Sequence, residues 1–570
     1  MKKEFWHGRR APGIADHIDL NRYSNLIEVI EEAFKNNADK NAFTGVGYTL
    51  TYADIDRLSD QFCRYLQHHT DLKPGDRIAI QMANLLQYPV ALYGALRAGL
   101  VIVNTNPLYT EREMLHQFKD SGAKALVFMQ TFGDKVEKII GKTQITTVIS
   151  TNLADLHPFG KRIAVNFLAK YVKKIVPNYN ISSEMSFRAV LEMGKNSPAA
   201  IPVKTNSEDC AVLQYTGGTT GVAKGAILSH KNLIANMLQI NTVLSQVDEH
   251  AQPLLNKGKE IVITPLPLYH IYAFTVHLMS AASLGNHNIL VANPRDPELF
   301  VKAIKNWPFT LFVGLNTLFV SLMNNPAFRQ LDFSHLKATI SGGTALASDT
   351  ELRWRDLTGC RIGEGYGLTE CAPVVCSSAF NDFTYPGSIG VPVANTRLKV
   401  VDSNANELPL GEAGELCVKG PQVMSGYWNI DKAACNAFDQ DAWFKTGDIA
   451  TIDNEGVVRI IDRLKDMVIV SGFNVYPNEI EAVVVEHPLV DQAAVIGVED
   501  ESTGEAIKLF IVAKEPSLDE KTILKFCRTH LTAYKIPKFV EFRTELPMSP
   551  IGKVLRKELR DVDNKAPLAT

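Results

Sequence analysis

Tyr215-Thr216-Gly217-Gly218-Thr219-Thr220-Gly221-Val222-Ala223-Lys224-Gly225 is the stretch that decides the reading of this 570-residue chain. Small residues let a backbone approach phosphate oxygens, while N–H groups and threonine hydroxyls donate to them. It is not a Walker A loop, because Lys224 follows Ala223 and precedes Gly225, so Gly-Lys-Ser/Thr never occurs. Strand-like runs at 77–81 and 125–129 flank longer helical stretches such as 88–100, which predicts α/β layering with parallel sheets. From about Asp402 the texture changes to short strands between Gly, Pro, Asn and Asp turns, at 414–418 and 457–461, predicting a small β subdomain. The last hundred or so residues mix helix and strand again. The expected organisation is a large N-terminal domain over 1–462, a hinge at 463–465 and a smaller α+β domain over 466–570.

Composition narrows the function classes. Hydrophobic residues at 46% and charged residues at 21% are ordinary for a globular protein. The 59 basic side chains nearly balance 62 acidic ones, giving a net charge of −3 and no reason to expect nucleic-acid binding over a whole surface. The 8 cysteines include no C-x-x-C pair, which argues against a disulfide scaffold or a zinc cluster. Met1-Lys2-Lys3-Glu4-Phe5-Trp6-His7 lacks the apolar stretch of a secretory signal. No window offers about 18 uninterrupted apolar residues. A cytoplasmic location is expected, with peripheral association with the cytoplasmic face of the membrane.

Four further strings follow the first in order: Ser341-Gly342-Gly343-Thr344-Ala345-Leu346, Glu364-Gly365-Tyr366-Gly367-Leu368-Thr369-Glu370, Trp443-Phe444-Lys445-Thr446-Gly447-Asp448 and Pro550-Ile551-Gly552-Lys553-Val554. The glycines from Gly363 to Gly367 do not satisfy G-x-G-x-x-G, which rejects an NAD enzyme. The five strings together resemble the adenylate-forming (ANL) superfamily of acyl-CoA synthetases, luciferases and peptide-synthetase adenylation domains. The longer runs 363–373, 414–428 and 466–481 resemble bacterial long-chain fatty-acyl-CoA synthetases. Where many members have Asp-Arg-Lys-Lys, this chain has Asp462-Arg463-Leu464-Lys465.

The resemblance implies ATP, Mg²⁺ and coenzyme A as cofactor and co-substrates, with a mobile C-terminal domain that rotates between two half-reactions. It implies that Thr216, Gly217, Gly218, Thr219, Thr220, Gly221 and Lys224 cradle phosphates, and that Gly343 and Thr344 lie on the adenine side. Glu364, Gly365, Tyr366, Gly367 and Leu368 form the nucleotide motif, with Tyr366 as the flat surface for adenine. Thr369 and Glu370 are implied as catalytic, and Thr216 with Glu370 as the organisers of Mg²⁺. Asp448 and Arg463 would hold the ribose, and Lys465 would be the hinge. Lys553 would bridge the carboxylate and the α-phosphate, a task for positive charge rather than a nucleophile. Ser471 and Gly472 would meet the thiol acceptor.

Residues 261–290 contain no Asp, Glu, Lys or Arg, and a second uncharged run covers 308–323. An amino-acid-activating relative needs a carboxylate here for the substrate ammonium, so an amino acid is disfavoured. An apolar channel with His270 at its mouth fits a fatty acid, and the resemblance to bacterial long-chain acyl-CoA synthetases implies Tyr269 in the tunnel and Phe274 as its aromatic gate; His270 could instead be an internal hydrogen-bonded histidine. The expected reaction converts fatty acid, ATP and CoA into acyl-CoA, AMP and pyrophosphate through acyl-AMP. Two alternatives stay open: a fatty acyl-AMP ligase delivering to a carrier protein, and a non-catalytic fatty-acid-binding membrane adaptor. The first is disfavoured because the chain ends at Thr570 without a carrier-protein domain, and the second because Thr216, Glu370, Asp448 and Lys553 are all in place. A homodimer is compatible with the reading.

One segment stands apart from the motifs. At 100° per residue, Ala164, Phe167, Leu168, Tyr171, Val172 and Ile175 share one helix face, with Arg162, Lys170, Lys173 and Lys174 opposite. This predicts either a helix on an anionic membrane surface or an amphipathic helix packed on the core, ended by Pro177.

Overall fold

Apolar runs without charge form strands buried on both faces, and here they build two largely parallel sheets. The computed structural model describes residues 5–216, 223–380, 387–431, 436–471, 473–500, 503–549 and 554–563. A nine-stranded sheet runs Val391–Pro392, Val374–Ser377, Ile362–Gly367, Ala338–Gly342, Leu311–Gly314, Ile261–Thr264, His287–Leu290, Asn41–Gly45, Tyr48–Thr51. Neighbours from Ile362–Gly367 through Asn41–Gly45 are mutually parallel. A seven-stranded sheet runs Glu184–Ser186, Thr147–Thr151, Ala123–Met129, Arg77–Gln81, Val101–Asn104, Cys210–Thr216, Lys224–Ser229, and only its last pair is antiparallel.

The helix Gln87–Arg97 is buried from Gln87 to Leu96, as a helix between two layers must be. The Tyr88 hydroxyl donates to Asn104 Oδ1 at 2.7 Å in the seven-stranded sheet. The Tyr93 hydroxyl donates to the Leu278 carbonyl at 2.6 Å on the other side. Asn84 accepts from the Leu268 N–H at 2.9 Å and donates to the Leu266 carbonyl at 2.9 Å, which fixes the proline-rich turn after Ile261–Thr264.

The texture change beyond Asp402 is a four-stranded antiparallel sheet of Arg397–Val401, Gly414–Lys419, Phe444–Ile452 and Val458–Arg463. The N-terminal segment straps it to the rest. Trp6 Nε1 donates to the Gly456 carbonyl at 2.8 Å and Arg9 Nη1 to the Asn454 carbonyl at 2.6 Å. Arg10, ion-paired with Asp16, donates to the Pro392 carbonyl at 3.0 Å. Gly456 has φ +84° and the Trp6 ring lies 2.8 Å from where a Cβ would stand, so glycine is required on two grounds.

Val468–Val470 opens a five-stranded sheet with Phe473–Val475, Val490–Asp500, Gly504–Ala513 and Phe539–Arg543. That sheet has a core of its own around Ile480, Val484, Leu509 and Ile523. The chain passes from one sheet to the next across residues 464–467. The segment expected as an amphipathic helix is an α-helix, Phe159–Phe167, continued by a π-helical turn, Leu168–Val172. Among the described residues no helix is long and apolar enough to cross a membrane.

Candidate active site

Parallel sheets offer ligands the crevice at the C-terminal ends of their strands. Three sequence motifs converge there. Thr216 ends Cys210–Thr216 and pairs in register with Lys224, the first residue of the antiparallel strand Lys224–Ser229. Gly217, Gly218, Thr219, Thr220 and Gly221 lie outside the described residues, as do Gly472 and Lys553. Gly343 and Thr344 follow Ala338–Gly342, with Gly343 at φ +85°. Glu364, Gly365, Tyr366 and Gly367 lie on the adjacent strand Ile362–Gly367, and Leu368 leads into the short 3₁₀ turn Thr369–Cys371.

Long-range pairings tie these motifs to the small β sheet. The Tyr366 hydroxyl donates to Asp448 Oδ2 at 2.5 Å, and Arg463 Nε lies 3.2 Å from Asp448 Oδ1. Asp448 and Arg463 are Cα partners across the strands Phe444–Ile452 and Val458–Arg463. The Thr446 hydroxyl, itself donating to the Leu416 carbonyl at 2.8 Å, accepts from the Asp448 N–H at 3.0 Å. Glu370 Oε1 accepts from the Tyr427 hydroxyl at 2.7 Å, and the Lys224 ammonium sits 5.4 Å from the centre of the Tyr427 ring. Tyr427 thus joins the base of the phosphate-type loop to the carboxylate expected to hold metal. The sequence reading missed it, although it lies in the run 414–428.

Burial sets the electrostatics. It raises the Glu364 carboxyl to about 7, against which one N–H from Leu346 is a weaker, lowering influence. Burial also raises Glu370, opposed by the Tyr427 hydrogen bond. Carboxylates held in this condition gain from an arriving cation. Among the described residues no three His, Cys, Asp or Glu side chains are grouped to hold a metal ion. One carboxylate with hydroxyls nearby suits a hard ion that keeps water and phosphate oxygens as its other ligands, as Mg²⁺ does.

Tyr272 Oη, Ser341 Oγ and Thr344 Oγ1 are buried without a hydrogen-bond partner. Buried polar atoms without a partner beside the end of the strand Ala338–Gly342 are placed to meet a ligand. Gly342 leaves room for Tyr272, whose ring is 2.9 Å from where a Cβ would stand. Tyr272 is another residue the motif reading did not single out.

The apolar stretch places His270 at the N-cap of Ile271–Ala273, where its Nδ1 accepts from the Tyr272 N–H at 3.2 Å. Burial holds this imidazole neutral, near 4, and because Nδ1 accepts, Nε2 carries the proton. The Tyr269 carbonyl accepts from Gln214 Nε2 at 3.1 Å. Phe274 opens the π-helix Phe274–Ala281 and is fully buried. Lys465 is exposed, one residue beyond Leu464, whose N–H donates to the Gly447 carbonyl at 2.9 Å. Ser471 is left-handed at φ +48°. Arg556 bonds Glu481 at 2.7 Å, Asn478 at 2.5 Å and Asp466 at 3.4 Å, tying the helix Arg556–Asp563 to the helix Pro477–Val485 and to the residues before the last sheet.

Comparison with known proteins agrees with this geometry. The model of the family described as "AMP-binding enzyme" matches residues 30–428, and that of the "AMP-binding enzyme C-terminal domain" matches residues 479–553. A long-chain-fatty-acid–CoA ligase from Escherichia coli O6:H1 is 48% identical over 573 residues, covering 99% of this chain and 100% of that one. The protein of the same name from Haemophilus influenzae is 44% identical over 98% of each chain. Among solved structures, ATP-bound MatB from Rhodopseudomonas palustris superposes with a TM-score of 0.81 at 28% identity, covering 95% of this chain and 99% of that one. With a family model over most of its length and relatives of 44% to 48% identity over nearly all of it, this chain belongs to the family of AMP-binding enzymes.

Proposed function

We propose that the protein is a long-chain-fatty-acid–CoA ligase, forming acyl-AMP and pyrophosphate from fatty acid and ATP and then acyl-CoA and AMP. The carrying observation is full-length identity of 44% to 48% to ligases of that name; the reading is supported by Tyr427, which meets both Glu370 and Lys224, and by Glu370 lying within electrostatic reach of Asp448 and Arg463. Asp448 accepts from the ribose hydroxyls with Arg463 beside it, and Tyr366 presents its ring to adenine. Thr216 and Glu370 would hold Mg²⁺, which supplies charge neutralisation at the phosphates when bound. His270 donates from Nε2 to the acid at the mouth of the apolar region, and Phe274 must move for the alkyl chain to enter. A π-helical turn beginning at that residue supports a gate, since such turns gather at functional sites.

The domain division belongs to the same reading: 1–462 binds nucleotide and acid, 463–465 is the hinge, and 466–570 carries Lys553 and the Ser471–Gly472 pair in alternate orientations. The passage between sheets at 464–467 supports it. Peripheral attachment to an anionic membrane is included, because the acid partitions into bilayers. The test is Lys553→Ala. Pyrophosphate release should collapse with ATP binding retained, while acyl-CoA formation from preformed acyl-AMP persists. Equal loss of both half-reactions refutes the assignment, and transfer to a carrier protein in preference to CoA moves the enzyme to the acyl-AMP ligases.

A further inference from the structure

An amphipathic helix on a globular protein normally turns its apolar side inward. The segment beginning at Phe159 does not. Phe159 is 70% exposed, Val172 60%, Tyr171 59% and Phe167 56%, with Leu168 and Ile175 at 47%. The apolar face predicted from the sequence is therefore open to solvent, and the expectation of core packing is overturned. What holds the segment down is polar. Asn166 donates to Asp155 Oδ1 at 3.0 Å and accepts from the Ala154 N–H at 3.1 Å, and Lys161 Nζ donates to the Gly47 carbonyl at 2.7 Å. Ala169 is the buried residue on the inner side.

The outer side is organised. The Phe167 and Tyr171 rings pack 4.9 Å apart, Arg162 lies over Phe159 at 5.2 Å and Lys170 over Tyr171 at 5.7 Å. Lys170, Lys173 and Lys174 are exposed, and among the described residues none of them forms an ion pair. From residue 159 to residue 176 there is no acidic side chain. Contiguous exposed apolar surface marks an interaction site. Aromatic side chains rimmed by unpaired lysines match a layer that is apolar beneath and anionic above. A second copy of the chain fits poorly, because a two-fold contact would set three lysines against the same three.

We propose that residues 159–175 form a docking surface for an anionic lipid bilayer, with Phe167, Leu168, Tyr171 and Val172 entering the headgroup layer and Lys170, Lys173 and Lys174 meeting lipid phosphates. This gives a surface to the peripheral attachment proposed above. The experiment is co-sedimentation of the full chain with vesicles of phosphatidylcholine, with and without phosphatidylglycerol, at low and high salt. Wild type should bind the anionic vesicles and lose binding with added salt. Each lysine near the surface is worth about fivefold in affinity, so K170E/K173E/K174E should weaken binding on the order of a hundredfold. F167S/Y171S alters only exposed side chains and should also release the protein. Octanoate-dependent pyrophosphate release, measured on the same proteins without lipid, should be unchanged in both variants. A wild-type protein that binds vesicles but makes no pyrophosphate defeats the ligase reading and leaves the docking surface standing. Equal binding to zwitterionic and anionic vesicles, equal binding by wild type and both variants, or a dimer dissolved by F167S/Y171S without loss of lipid binding would overturn the proposal.

Discussion

Replacing Glu364 by glutamine should stabilise the protein in alkaline solution and do little in mild acid. The Glu364 carboxyl titrates at about 7 in the folded chain, against a reference value of 4.5. Between those values the native state binds more protons than the unfolded state, so stability falls as pH rises through the interval. The penalty is absent well below the lower value and complete above the higher one. It amounts to on the order of 3 kcal/mol at about pH 8, shrinking below about 1 kcal/mol at about pH 5. Glutamine keeps the shape and can still accept the Leu346 N–H, while it has no charge to desolvate. The strand position itself is secured by Ser378, which accepts from the Glu364 N–H at 2.7 Å and donates its own N–H to the Glu364 carbonyl at 2.8 Å. The assay is urea unfolding followed by tryptophan fluorescence. All 5 tryptophans, residues 6, 307, 354, 428 and 443, precede the last sheet, so the signal reports the domain that holds Glu364. An equal gain at both pH values, or a loss in alkaline solution, would refute burial as the cause of the raised titration.

Tyr427→Phe removes a hydrogen bond that opposes the upward pull of burial on Glu370. Glu370 should then ionise less readily, shifting the acid limb of pyrophosphate release to higher pH by about one unit or more and raising the magnesium requirement; superimposable profiles would defeat the pairing. Lys465→Pro fixes φ at the inter-sheet passage, so acyl-AMP should still form while thioester formation collapses, and full overall turnover would place the hinge elsewhere. Phe274→Ala empties a fully buried site at a cost of about 3–5 kcal/mol, and should alter the octanoate-to-palmitate activity ratio or leak acyl-AMP to water. Reduced stability with an unchanged ratio and no leak would make Phe274 core alone.

Local chemistry was the legible part of this chain. The glycine-threonine run announces phosphate contact by its composition, the Glu364–Glu370 string and Asp448 point to nucleotide handling through the family they resemble, and the uncharged run 261–290 announces buried core. The alternating texture at 77–129 foretold parallel layering, and the change near Asp402 foretold the small β sheet. What stayed hidden were side-chain pairings across elements. Tyr366 reaches Asp448 only because the nine-stranded sheet and the small β sheet meet, Tyr427 reaches Glu370 from a loop 57 residues away, and no periodicity within either string encodes that approach. The exposed apolar face at 159–175 was hidden for a similar reason. Periodicity shows that a helix has two unlike faces, but only Asn166 and Lys161 decide which one turns inward.

The bond from Trp6 to Gly456 spans 450 residues of sequence. A ribosome adding roughly 5–20 residues per second needs on the order of 20–90 s to cover that distance. Throughout that interval Trp6 and Arg9 lack their acceptors, the Gly456 and Asn454 carbonyls, and must wait for the last two strands of the small β sheet. The sheet that carries Asp448 and Arg463 is likewise strapped down only after nearly the whole first domain has been made. Vectorial synthesis therefore assembles the nucleotide crevice late, and any fusion that sequesters Phe5–Asp16 while the chain is emerging competes directly with that final step.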